Sequence, residues 1–152
     1  MPRHLLRLAD VWDRLPVFFI TVCVDKRRPV LATESNFAVL FDEWRSLRAH
    51  LGWNIGRYVV MPDHVHFFAM PDAGASTSIS VVIGRWKERT SRRINAQNRT
   101  RGRFWQPQFF DHVLRSNESR SEKWLYIAQN PVRAGYVSRS EDWPYAGWID
   151  FE

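Results

Sequence analysis

His64 and His66 flank Val65 in a stretch rich in strand-forming residues. Side chains alternate faces along a strand, so the two imidazoles share one face and Val65 takes the other. Histidines placed this way can each give one ring nitrogen to a divalent cation. So short a pattern also arises by chance, in which case His64 belongs to the Pro62-Asp63 turn and His66 is a hydrogen-bonded core residue. A second pattern lies in Trp124-Leu125-Tyr126-Ile127-Ala128-Gln129-Asn130-Pro131. On a helix Tyr126 and Asn130 stand four apart and share a face, so a phenol and an amide oxygen could meet the histidines at one cation. A free phenol titrates near about 10 and needs a nearby cation or base before it attacks at neutral pH. Taken singly, Tyr126 is a helix residue packing its ring on a sheet, and Asn130-Pro131 is a helix-ending turn.

The surrounding elements decide whether these groups can meet. Residues 17–24 are β-branched and aromatic and close on the charged turn Asp25-Lys26-Arg27-Arg28-Pro29, which predicts a buried strand. Phe37, Leu40, Phe41, Trp44, Leu47 and Leu51 recur at helical steps, with Thr33 and Ser35 as caps and Gly52 as a stop. Residues 53–60 and 64–70 predict a hairpin around Met61-Pro62-Asp63. A second amphipathic helix is expected over 79–95, a fourth strand over 104–114 and a third helix over 118–129, ended by Asn130-Pro131. This order, β-α-β-β-α-β plus one helix, predicts an α+β ferredoxin-like (split βαβ) fold. One antiparallel sheet carries helices on one face, and the additional helix carries the tyrosine. No repeat or linker divides the chain, so 1–152 reads as a single domain with 141–152 as an acidic, aromatic tail.

The chain has 152 residues, enough to bury a core without covalent staples. Its single cysteine, Cys23, excludes an internal disulfide framework and a Cys-rich zinc module. The longest apolar stretch is far too short to span a bilayer, and 1–16 is broken by charges where a secretory signal needs an apolar centre. A cytoplasmic location is expected, with no membrane partner. With 22 Lys+Arg against 16 Asp+Glu, the net charge of +6 makes a polyanion the first partner to consider.

Val60-Met61-Pro62-Asp63-His64-Val65-His66-Phe67 resembles the HUH motif of single-tyrosine transposases, two histidines around a hydrophobic residue. Residues 126–135 resemble the tyrosine-helix signature of the branch called REP-associated tyrosine transposases. Residues 104–115 resemble the strand that precedes that helix, and the blocks together cover about 16–145. The resemblance implies DNA cleavage and strand transfer on single-stranded or hairpin DNA, with Mg²⁺ or Mn²⁺ as cofactor. His64 and His66 would be the metal ligands and Tyr126 the nucleophile, forming a covalent 5′-phosphotyrosine and releasing a 3′-hydroxyl. Asn130 would be the third ligand. Relatives often place Gln there, the alternative role for the shorter Asn130 being to orient a water or a histidine. The implied substrate is a repetitive extragenic palindrome (REP), an imperfect hairpin with a short tetranucleotide at its foot. A monomer in which Tyr126 serves its own histidines is expected over a dimer that swaps the tyrosine helix.

Arg85, Lys87, Arg89, Arg92, Arg93, Arg99, Arg101 and Arg103 form a basic run opposed locally by Glu88 alone. Together with Arg115 they are expected to track DNA phosphates, the alternative being a solvated helix face. Lys26, Arg27, Arg28, Arg120, Lys123 and Arg133 are secondary candidates. Trp86 and Trp105 are expected to pack, Asp63 and Asp111 to support the site, and His112 to be structural or DNA-facing. Two rival functions remain: a non-catalytic ferredoxin-like nucleic-acid binder whose sheet aromatics stack bases, and an HUH endonuclease acting on another DNA target.

Overall fold

The computed structural model describes residues 16–152; the expectations for the stretch before Pro16 lie outside it. Strand β1 (Val17–Cys23) leads through a short 3-10 turn to helix α1 (Glu34–Leu51). The hairpin β2 (Trp53–Val60) and β3 (His64–Pro71) follows, then helix α2 (Ile79–Asn98) and strand β4 (Phe110–Leu114). Helix α3 (Asn117–Ala128), the single turn α4 (Asn130–Arg133) and strand β5 (Ala146–Trp148) complete the chain. The strands form one five-stranded sheet in the order β4-β1-β3-β2-β5, antiparallel throughout. This is the α+β, split-βαβ arrangement, with β5 added at the β2 edge.

Local signals account for most element ends. Thr33 caps α1 by accepting from the Asn36 amide, and Gly52, at φ +70°, ends it in the left-handed conformation that glycine adopts without strain. Ser78 caps α2, and Ser116 with Ser119 forms a reciprocal capping box at α3.

Alternation along β1 and β3 divides the core. Ile20, Val22, Val65 and Phe67 point to α1 and α2, where they join Trp44, Trp86, Leu40 and Ile83. Val17, Phe19, Phe68 and Met70 point the other way, onto Ile127 of α3. Trp86 and Trp105 are both buried, and Trp105 donates its indole N–H to Thr90 Oγ1 at 2.9 Å.

Two departures from the sequence reading bear on the site. Residues 104–109 are not strand; Trp105 makes one isolated bridge to Val24, and Phe104 and Trp105 pack into the helix-side core. Pro107, with no amide hydrogen to donate, lies in the stretch that stays out of the ladder. The segment 141–152 packs on the domain: β5 pairs with β2 from Arg57↔Trp148 to Val59↔Ala146, and Asp150 Oδ2 accepts from the Ile55 amide at 2.8 Å. Gly56 makes this possible, since a Cβ there would lie 2.6 Å from the Phe151 ring. No helix among the described residues is long and apolar enough to cross a membrane.

Candidate active site

The two histidines occupy the sheet face opposite α1 and α2, with ring centroids 4.8 Å apart at 77°. Each has one nitrogen engaged. His64 Nδ1 lies 2.7 Å from Asp63 Oδ1, and Arg27 Nε donates to the other carboxylate oxygen at 2.8 Å. Burial pushes the Asp63 carboxyl up, but the hydrogen bonds from His64 and Arg27 and their charges outweigh it and hold the group below its usual value. Asp63 is therefore ionised near neutrality and can only accept, which assigns the proton of this contact to His64 Nδ1, so that in the neutral form of the ring the lone pair lies on Nε2.

His66 Nδ1 meets Thr21 Oγ1 at 2.8 Å, across the Thr21↔His66 register of β1 and β3. Its ring stacks on Phe19 at 5.3 Å. Burial, then the positive charges of His64, Lys123 and Arg27, pushes its pKa down to about 3. His66 is thus neutral over the physiological range, the form that can ligate a metal. An anchored Nδ1 with a free Nε2 is the usual support of a ligating imidazole. Among the described residues no group of three or more His, Cys, Asp or Glu side chains is arranged so that it could hold a metal ion by itself. The chain therefore offers a two-histidine donor set that suits a cation whose remaining positions go to a phosphate, an amide or phenol oxygen, or water.

Tyr126 lies on α3, whose Ile127 is buried against the histidine face, while Tyr126 itself is 64% exposed. The Arg133 guanidinium sits 4.2 Å from the centroid of its ring and donates to the Tyr126 carbonyl at 2.8 Å. Arg133 also donates to Asn130 Oδ1. The continuous helical face expected for Tyr126 and Asn130 is interrupted, because α3 ends at Ala128 and Asn130 begins a separate turn containing Pro131. Arg133 joins the two residues, and neither hydrogen-bonds His64 or His66 among the described residues.

The basic run divides by location. Val65, between the histidines, points to the helices, so α2 and the histidines lie on opposite faces of the sheet. On α2, Arg89 and Arg93 bind the buried Glu43 of α1 at 2.6 and 2.9 Å, Arg92 pairs with Glu88, and Lys87 donates to the Gln106 carbonyl. Burial pushes the Glu43 carboxyl up, but the bonds from the two arginines outweigh it and leave it below its usual value. Arg85 is half-buried on the same helix. Arg99, Arg101 and Arg103 are exposed in the following loop, which is tied to the histidine end of the sheet where Asp25 N donates to Phe104 O at 2.8 Å. Arg115 follows Leu114, the partner of Val17, at the opposite end.

The cations beside the histidines are two secondary candidates, Arg27 and Lys123, the latter with its ammonium 5.0 Å from the Phe19 ring centroid. Asp111 pairs with Ile20 and so points to the helix side, whereas His112 pairs with Phe19 on the histidine face and is exposed. Thr21 carried no sign of its role in the sequence, since only the strand register places it against His66.

A family model described as "Transposase IS200 like" matches residues 17–130, a span that holds both histidines, Tyr126 and Asn130. The chain belongs to this family. As an IS200-like transposase it is a single-tyrosine DNA transposase. It is 28% identical over 130 residues to the REP-associated tyrosine transposase of Escherichia coli K12, covering 85% of this chain and 74% of that one. It is 26% identical over 145 residues to a putative REP-associated tyrosine transposase of Haemophilus influenzae, covering 87% and 79%. Among solved structures, a REP-associated tyrosine transposase bound to a REP hairpin superposes with a TM-score of 0.73 at 24% identity, covering 86% of this chain and 75% of that one. A putative transposase from Deinococcus radiodurans gives 0.56 at 21%, covering 74% and 88%. The two solved structures therefore share the fold of this chain.

Proposed function

We propose that the chain cleaves and rejoins single-stranded DNA at REP-type hairpins through a covalent 5′-phosphotyrosine at Tyr126, with Mg²⁺ or Mn²⁺ held by His64 and His66. The observation that carries this reading is the histidine pair itself. Both Nδ1 atoms are taken, by Asp63 and Thr21, and both Nε2 atoms remain as donors on the sheet face against which the tyrosine helix packs. The DNA target follows the relatives, two of which are named as REP-associated and one of which is solved on a REP hairpin.

Bound there, the cation would withdraw charge from the scissile phosphate. Asp63 and Thr21 hold the imidazoles in orientation, and Arg27 and Lys123 add positive charge where a phosphate would lie. Tyr126 loses its phenolic proton and attacks phosphorus in line. The oxygen–phosphorus bond to the tyrosine forms as the bond to the 3′ oxygen breaks, and the 3′ oxygen takes from solvent a proton in place of the one the exposed phenol gave up to it, leaving as a hydroxyl. The ester energy is retained, so a second 3′-hydroxyl can reverse the step and join strands without ATP. Asn130, whose Oδ1 accepts from Arg133, would complete the cation's donor set through the second lone pair of that oxygen. The same reading keeps the chain a monomer, supported by Ile127 packing on its own sheet; a stable dimer in light scattering would contradict it.

The test is capture of an end-labelled REP hairpin carrying its single-stranded foot, with Mg²⁺, Mn²⁺ or EDTA. A denaturing gel should show an adduct that requires both metal and Tyr126. Tyr126→Phe should lower its formation by more than about 1000-fold with the melting temperature unchanged, because the side chain is exposed. Tight binding with no adduct under either metal would replace this reading with that of a non-catalytic binder.

A further inference from the structure

We propose that Phe110, with His112 beside it, is a stacking platform for a base of the single-stranded DNA next to the cleaved phosphate. The proposal deepens the reading above and rests on it for the position of that phosphate.

Phe110 begins β4, an edge strand of the sheet, which among the described residues has a neighbouring strand on one side only. It is 66% exposed, although it follows Phe109, which packs on the aromatic core under the helices. The register explains the contrast. Phe110 pairs with Thr21 across β4 and β1, and Thr21 pairs with His66 across β1 and β3. Phe110, Thr21 and His66 therefore form one row on one face, and Thr21 is the residue that holds His66 Nδ1. Directly opposed Cβ atoms lie about 5 Å apart, so the phenyl ring starts about 10 Å from the His66 side chain. A nucleotide adjoining a phosphate at the histidine pair falls within that reach.

His112 extends the surface. It is exposed on the same face, about 7 Å further along the strand, and is paired with Phe19, whose ring stacks on His66 and lies near the Lys123 ammonium. An apolar ring and an imidazole thus stand on the sheet beside the catalytic pair, close to positive charge that can hold the adjoining phosphates. Every base has a π face, so such a platform grips a strand without reading its sequence.

Binding to a REP hairpin with a single-stranded foot is measured in EDTA by fluorescence anisotropy, for the wild type, Phe110→Ala and Phe110→Trp. An abasic nucleotide is placed in turn at each foot position. Phe110→Ala should weaken binding to the intact foot about 5- to 150-fold, and Phe110→Trp should restore it. At one foot position the abasic substitution should weaken the wild type by a similar factor and cost the Phe110→Ala variant nothing further. Equal binding by Phe110→Ala and wild type would overturn the platform, as would a loss that adds in full to every abasic substitution. Melting curves show whether the variants fold, which exposure of the ring leads us to expect. Metal-dependent capture by the wild-type protein is read separately: its failure would strike the cleavage reading, while the coupling between Phe110 and one base would still decide the platform.

Discussion

On the face covered by α1 and α2, Trp44 stacks on Trp86 at 5.1 Å, Trp86 meets Trp105 at 5.2 Å, and Phe67 fills the space between the two helices and the sheet. On the histidine face the side chains in the same rows are Thr21, His64 and His66, with Phe110 exposed at one edge and a partly open tyrosine helix above. Val65 and Phe67 alternate with His64 and His66 on a single strand, so both environments are written into eight consecutive residues of β3. The difference teaches that, at the end of the sheet that holds the histidines, the aromatic core and the candidate site lie on opposite sides of the same strands, so a substitution on one side should leave the other nearly unmoved.

Trp86→Ala should break the comparison most visibly on the stability side. It empties a fully buried site at the centre of the aromatic stack and should cost about 3–5 kcal/mol, a fall of roughly 6–20 °C in melting temperature. Below the transition, adduct formation per folded molecule should stay as in the wild type, measured by calorimetry beside the capture gel.

Glu43→Gln should cost about 1.5–3 kcal/mol, since it removes a buried carboxylate bonded by Arg89 and Arg93. The folded carboxyl is held below its ordinary value, so its stabilisation is complete above the usual carboxylate range and disappears as pH falls through the folded value. Denaturant titrations should show the gap between wild type and variant closing in that acid window. Arg89→Gln should likewise lower stability, with DNA affinity little changed at fixed salt, because this arginine is committed to Glu43 on the face away from the histidines.

Thr21→Val sharpens the other side. It keeps the shape of a strand residue and removes the partner of His66 Nδ1, so Mn²⁺ affinity by titration calorimetry should fall about 10- to 100-fold. The melting temperature should shift by no more than one hydrogen bond, about 1 kcal/mol, would produce. A large loss of stability with unchanged metal affinity would erase the distinction between the faces.

Much of this division is legible in the residues. Period-two alternation around Val65 places the histidines together, and the capping residues Thr33 and Gly52 bound α1 as observed. Which side of the sheet the basic helix α2 occupies emerges only with the fold, where Val65 and not the histidines faces the helices. Charge content by itself gives a helix face and not the side of the sheet it occupies. Aromatic richness suggests strand over 104–109, but Phe104 and Trp105 serve the core from a loop. The break at Gln129 follows from a proline whose effect on the Tyr126–Asn130 alignment depends on local turn geometry. Thr21 and Phe110 acquire their places in the row of His66 through cross-strand register, which no single segment contains.

The fit of Phe151 against Gly56 has a consequence for self-association. An unpaired strand edge invites pairing with another chain, and β2 carries Ile55 and Tyr58 along what would be such an edge. Strand β5, sewn to it by the bonds between Asp150 and Ile55, covers that row of amides and carbonyls from within the same chain. Among the described residues the edges of the sheet are then β5, three residues long, and β4, five residues long and interrupted by the charge of Asp111. The C-terminal segment therefore guards one side of the molecule against strand addition and leaves the side beside the histidines as the approach for an extended polymer.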